Sequence, residues 1–311
     1  MSTSSKNGNS AVLESTDEQM QGEALAFEQD VIAARMNRRK LISNLTMAAG
    51  AAGALGLAGC SAAGPAAISV PNTTTPSVLD VLTFALNLEY FEASFYSYAV
   101  TGSGLSTADM GTSPGTVTGG AKITFTNSYM ANIAANLMTE EVQHVELLRA
   151  TIQSVFGTAP ISMPSLNLAP STALTANSDA TFAAIARQIE GVGVSAYAGG
   201  AQYLTSSVAA LNYAAQILDV EAQHSGALRL ACIRLGVASP AADALDIPPS
   251  TTQIFNTGPT TGLNPVRTPA QVLGIVYGVS TASTTTPPAG VVKGGFFPNG
   301  LNGNIFSTSY V

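Results

Sequence analysis

Apolar positions recur at helical spacing in four long segments of the chain, and the stretches between them are dominated by Gly, Pro, Ser and Thr. The first segment runs from about Ser77 to Val100. Leu79, Leu82 and Leu86 line its apolar face, and Ser77 followed three residues later by Asp80 predicts an N-terminal capping pair. The second runs from about Ser128 to Phe156 and stops at Gly157, a helix-ending residue. The third covers about Asp179 to Leu204, and the fourth about Val208 to Leu235, with Gly236 beyond it. Four such helices predict an all-α four-helix bundle at residues 77–236.

The connections decide how the four helices are strung together. A Gly/Thr/Ser-rich stretch, Thr101 to Gly120, separates the first two, while Thr158 to Ser178, with Pro160, Pro164 and Pro170, separates the second and third. Fully extended at about 3.3 Å per residue, the latter reaches roughly 65 Å, enough to run back along a bundle about 40 Å long. The second and third helices are therefore expected to lie parallel, with one long crossover. Gly191, Gly193, Gly199 and Gly200 are unusual in a helix interior and point to close backbone contact or a local bulge. Residues 237–311 form a Gly/Pro/Thr-rich extension, with a short helix expected at Thr268 to Tyr277 and a loop around Gly294 to Pro298 packed on the bundle.

The N-terminal 60 residues read as an export segment, not as fold. Arg38, Arg39 and Lys40 precede an apolar run from Leu41 to Ala58, the pattern of a twin-arginine signal. Leu57-Ala58-Gly59-Cys60 resembles a lipoprotein cleavage box, which would make Cys60 the lipidated first residue of a protein anchored in the periplasm or cell envelope. An uncleaved membrane anchor is the alternative, and Met36 competes with Met1 as the start. Residues 61–76 form a flexible tether.

Composition narrows the partners. Beyond residue 59 the chain has seven Lys/Arg against thirteen Asp/Glu, a net charge of −6, which leaves no basic patch for nucleic acid. The remaining cysteine, Cys232, sits in an apolar helix and reads as a small core residue.

The chain's two histidines each follow a glutamate by three residues, in Glu141-Val142-Gln143-His144 and Glu221-Ala222-Gln223-His224. On a helix this spacing puts both side chains on one face, so that they can grip the same metal ion. The pairs belong to an internal repeat: Glu89 precedes Tyr96 by seven residues as Glu190 precedes Tyr197, and His144 precedes Arg149 by five as His224 precedes Arg229. Each half is a helical hairpin supplying one lone glutamate and one E-x-x-H. The expected metal ligands are Glu89, Glu141, His144, Glu190, Glu221 and His224, for two divalent transition-metal ions, iron or manganese ahead of zinc. Four carboxylates would balance the four positive charges, which makes burial tolerable. Glu92, Tyr96, Tyr197 and Asp219 are expected to support the ligands through hydrogen bonds, Asp219 by orienting a histidine. Glu140 is expected at the surface, and Arg149 and Arg229 beside acids near the helix ends.

Leu86-Asn87-Leu88-Glu89-Tyr90-Phe91-Glu92-Ala93, Phe95-Tyr96 and the two E-x-x-H helices together resemble the bacterial ferritin-like domain proteins that include desiccation-related proteins. The likeness covers about Val78 to Gly236, and the segments around Arg267-Thr268-Pro269 and Gly294 to Gly303 resemble the C-terminal extension of that group. The resemblance implies a ferritin-like bundle, often exported, with the same six ligands. Gly193 departs from the repeat, since it stands where a partner to Glu92 would be. The function expected is a di-metal protein reacting with oxygen or peroxide in oxidative or desiccation stress, as a peroxidase, catalase or ferroxidase would. The alternative is a non-enzymatic envelope protein that protects during stress.

Overall fold

The computed structural model describes residues 75–310. The export segment, Cys60, the choice between Met1 and Met36 and nearly all of the tether lie outside the described residues. Helix α1 spans Val78–Thr101, the one-turn α2 Thr107–Met110, α3 Ser128–Phe156, α4 Asp179–Gly200, α5 Val208–Arg234 and α6 Pro269–Val276. Local signals set their ends. The Ser77 side chain accepts from the Asp80 amide while the Asp80 carboxylate accepts from the Ser77 amide, a complete capping box. Gly157 closes α3 at φ 63°, a left-handed conformation that glycine takes without steric cost. The third helix stops at Gly200, and a 3-10 turn, Ala201–Tyr203, carries the chain into α5.

Pairs of touching residues give the helix directions. Tyr90 meets Arg149 while Ser97 lies beside Met138 and Val142, so α1 and α3 are antiparallel. Cys232 reaches the Ala183 carbonyl while His224 reaches Glu190, so α4 and α5 are antiparallel. Phe95 stacks on Phe182 while Tyr197 bonds Glu89, so α1 and α4 are antiparallel too. Helices α3 and α4 therefore run parallel and need the long crossover between them. That crossover is not irregular throughout. Its Leu166–Asn167 segment (β2) pairs in parallel with Val117–Thr118 (β1), at register Val117 to Leu166. The chains approach closely there: a Cβ on Gly115 would sit 2.2 Å from the Ser165 amide nitrogen.

The segment after α5 is fastened to the bundle by buried arginines and aromatics. Arg187 donates from Nη1 to both oxygens of Asp246 at 2.6 Å, and Arg267 donates to Asp243 at 2.9 and 2.5 Å. The Arg267 carbonyl runs against α4 so tightly that a Cβ on Gly199 would lie 2.1 Å from it, which accounts for that glycine. Phe296 and Phe297 pack on Phe91 of α1, with ring centroids 4.5 and 5.9 Å away. Among the described residues Arg149 and Arg229 form no ion pair with an acid. Arg149 donates to the Tyr90 hydroxyl and the Ile161 carbonyl, and Arg229 to the carbonyls of Ile254 and Gln253. Each thus pins the chain that leaves its hairpin.

Candidate metal centre

All four long helices turn a carboxylate into the middle of the bundle. Glu89, Glu141, Glu190 and Glu221 have no exposed surface at all, and His144 and His224 are only 7 % exposed. One donor atom each from Glu89, Glu141, His144 and Glu221 lies within 4.8 Å of the others, and the same holds for Glu141, Glu190, Glu221 and His224. Glu141 and Glu221 belong to both groups, so each could contribute to two ions. All six residues singled out by the E-x-x-H repeat are therefore brought together.

Protein groups alone do not satisfy this cluster. Glu89 Oε2, Glu141 Oε1 and both carboxylate oxygens of Glu221 are buried without a well-formed hydrogen bond. The histidines lie near but leave them without aligned bonds: His144 Nδ1, which bonds Glu141 Oε2 at 3.0 Å, is 3.3 Å from Glu89 Oε2 and 3.8 Å from Glu221 Oε1, and His224 Nδ1 is 2.9 Å from Glu141 Oε1. Orphaned buried carboxylate oxygens cost free energy, and a divalent cation would offset that cost. The donor set, oxygens and imidazole nitrogens without thiolate, fits such ions.

The cluster shares protons accordingly. Burial opposes charge on His144, yet Glu89 and Glu141 outweigh it and push its pKa up to about 10. His224 is likewise disfavoured by burial but driven up to about 11 by Glu190 and Glu141. Burial and the Glu89 charge raise Glu141 to about 7. Glu92 and Glu221 are held well above the carboxylate range by burial and then by neighbouring acids. Burial would raise Glu89 too, but the facing His144 charge reverses it and leaves its pKa lowered.

The tyrosines support the lone glutamates across the hairpins. Tyr197 of α4 donates to Glu89 Oε1 at 2.5 Å, and Tyr96 of α1 donates to Glu190 Oε1 at 2.5 Å. Glu92 is 3 % exposed and sits among the cluster's acids. A Cβ on Gly193 would lie 2.3 Å from Glu221 Oε2 and 3.4 Å from Glu92 Oε1, so this glycine makes room for both carboxylates. Beside Glu92 is an apolar cavity of about 30 Å³ lined by Leu88, Phe91, Ile189, Val192 and Phe296.

Asp219 does not orient a histidine. It is exposed and receives the Gln223 side chain at 3.3 Å, because five residues turn it about 140° around α5 from His224. The carboxylate outside the six that meets a candidate ligand histidine is Glu140, whose Oε2 lies 2.5 Å from His224 Nε2 across the α3–α5 interface. Spacing along one helix could not reveal that partner, since it comes from another helix.

The ferritin-like domain family model matches residues 77–233, just over half of the chain and the whole of this bundle. The chain belongs to the ferritin-like family. No curated protein matches the sequence. The matched residues include all six members of the buried Glu/His groups. None of the described helices is long and apolar enough to cross a membrane.

Proposed function

We propose that this ferritin-like protein is an exported di-metal carboxylate protein, holding two iron or manganese ions and reacting with dioxygen or peroxide during oxidative or desiccation stress. The observation that carries the reading is the pair of Glu/His groups sharing Glu141 and Glu221, with buried carboxylate oxygens left unpartnered. Glu89, Glu141, His144 and Glu221 would hold one ion, and Glu190, Glu221, His224 and Glu141 the other. Bound there, two redox-active ions would supply one electron each to an oxygen substrate. The chain's own contribution is to hold the lone glutamates through Tyr96 and Tyr197 and to keep bulk water from the cluster. The cavity beside Glu92 has room for a molecule about the size of water or dioxygen.

Export and a lipid anchor at Cys60 belong to the same reading, supported by the Arg38-Arg39-Lys40 segment, the apolar run after it and the Leu57 to Cys60 box. The likeness to desiccation-related proteins supports a role in stress. A second reading is a non-enzymatic envelope protein in which the metal stiffens the bundle. It is favoured by the nearly closed cluster and by the Arg187–Asp246 and Arg267–Asp243 pairs that lock the extension in place.

Metal content and turnover separate the two. Protein reconstituted with iron or manganese should bind about two ions per chain, His144→Ala/His224→Ala should lose them, and only the loaded wild type should consume peroxide or dioxygen repeatedly. Two ions without turnover would favour the stiffening role, and no metal in the wild type would end both metal readings.

A further inference from the structure

We propose that Glu140 positions His224 and thereby makes the two metal positions unequal, so that the ion held by His224, Glu190, Glu141 and Glu221 binds first and more tightly. This rests on the reading of the cluster as a di-metal centre. The His224 ring is gripped at both nitrogens. Nδ1 faces the cluster, 2.9 Å from Glu141 Oε1 and 3.2 Å from Glu190 Oε2, while Nε2 meets Glu140 Oε2 at 2.5 Å. A carboxylate holding the Nε2 proton fixes the ring with Nδ1 directed at the cluster before metal arrives, so that Nδ1, once its proton is displaced, already faces the metal position.

His144 lacks this support. Its three acidic partners, Glu141, Glu89 and Glu221, all lie at Nδ1, and no carboxylate of the described residues approaches its Nε2. The repeat gives the reason. In the register that places Glu141 on Glu221, the position of Glu140 is taken by Val220, which cannot accept a hydrogen bond. The hairpins thus match in all six ligands and in the two tyrosines, yet differ in the residue that would orient each histidine. A ring already held in its binding orientation loses less freedom on coordination than one that is not, so the difference appears as affinity. The Glu140 side chain is 45 % exposed, so its removal strands no buried partner other than the His224 N–H.

The test is a calorimetric titration of the metal-free full chain with Mn(II), on wild type, Glu140→Ala and Glu140→Gln, with a melt of each apo protein as a fold control. Wild type should take up two ions in two resolved steps. Glu140→Ala should weaken the tighter step about 10- to 100-fold and leave the other within about twofold. Glu140→Gln, which keeps an acceptor oxygen, should fall between. Two equal steps in wild type, or a Glu140→Ala variant in which neither step or both steps weaken alike, would overturn the inference while leaving the metal centre standing. No uptake by wild type would overturn both.

Discussion

Tyr197 and Glu89 stand on different hairpins, and the tyrosine hydroxyl donates to a carboxylate oxygen 2.5 Å away in the buried centre of the bundle. Tyr96 does the same for Glu190 from the other side. Each hairpin therefore holds the other's lone glutamate, so docking the two halves and shaping the cluster are one event. Replacing Tyr197 by Phe should cost the apo protein about 1.5–3 kcal/mol, the range for a hydrogen bond to a charged group. Metal affinity should fall about 10-fold or more at the Glu89 position. Chemical unfolding and metal titration of Tyr197→Phe check this, and unchanged values in both would show the tyrosine to be mere packing.

Two glycines of α4 should respond in opposite ways to the same substitution. A Cβ on Gly193 would press to 2.3 Å from Glu221 Oε2, whereas one on Gly191 would meet nothing within 4 Å. Gly191→Ala should stabilise the protein by up to about 1 kcal/mol through helix propensity. Gly193→Ala should displace a bridging carboxylate and lower the metal stoichiometry below two. Thermal melts paired with metal analysis distinguish the variants, and equal behaviour would count against the close approach at Gly193.

Losing the Asp243 carboxylate should loosen the extension. Arg267 is 2 % exposed and takes its charge partner from Asp243 alone among the described residues. Asp243→Ala leaves that guanidinium buried and unpaired, which costs about 3–5 kcal/mol. Urea denaturation measures the loss, and limited proteolysis should show new cleavage after Gly236. A loss below about 1 kcal/mol would mean that the aromatic contacts of Phe296 and Phe297 hold the extension by themselves.

The histidines make apo stability depend on pH in a stated direction. Their folded pKa values, about 10 and about 11, lie above the ordinary 6.5, so the folded state binds more protons between those limits. The stabilisation is complete below pH 6.5 and is lost as pH rises toward 10 to 11. Glu141, raised from 4.5 to about 7, lowers stability with rising pH in its own window, and the depressed Glu89 opposes it. At higher pH the histidines act in the same sense as Glu92 and Glu221, whose pKa values are also raised. Metal ions must displace these protons, so affinity should rise over the same range. Melts of apo and loaded protein from pH 6.5 to 9.5 should move in opposite senses; parallel curves would show that the histidines are not protonated in the empty cluster.

Much of this was legible in the chain because its causes are local. Helix periodicity, the Ser77–Asp80 box and the Gly157 stop act within a few residues, and the E-x-x-H spacing states which side chains share a helix face. The repeat joining Glu89 to Glu190 and Glu141 to Glu221 carried the six candidate ligands, since symmetry in sequence implied symmetry in space. The 20-odd residues of the crossover likewise required only that a chain reach the far end of the bundle.

What the tertiary structure alone decided depends on distances between helices, which no spacing within one helix encodes. Asp219 was expected beside a histidine and Glu140 at the surface, until the α3–α5 packing brought Glu140 to His224 and left Asp219 in solvent. Gly193 was an unmatched position in the repeat until docking set it against Glu221 and Glu92, and Gly199 an odd helical glycine until the Arg267 carbonyl lay on it. The sequence by itself determined the four helices and the donors they carry. Packing decided which donors belong to both groups, which histidine is held at both nitrogens and how the extension is fastened to the bundle, because each follows from a few ångströms between segments 24 to more than 80 residues apart.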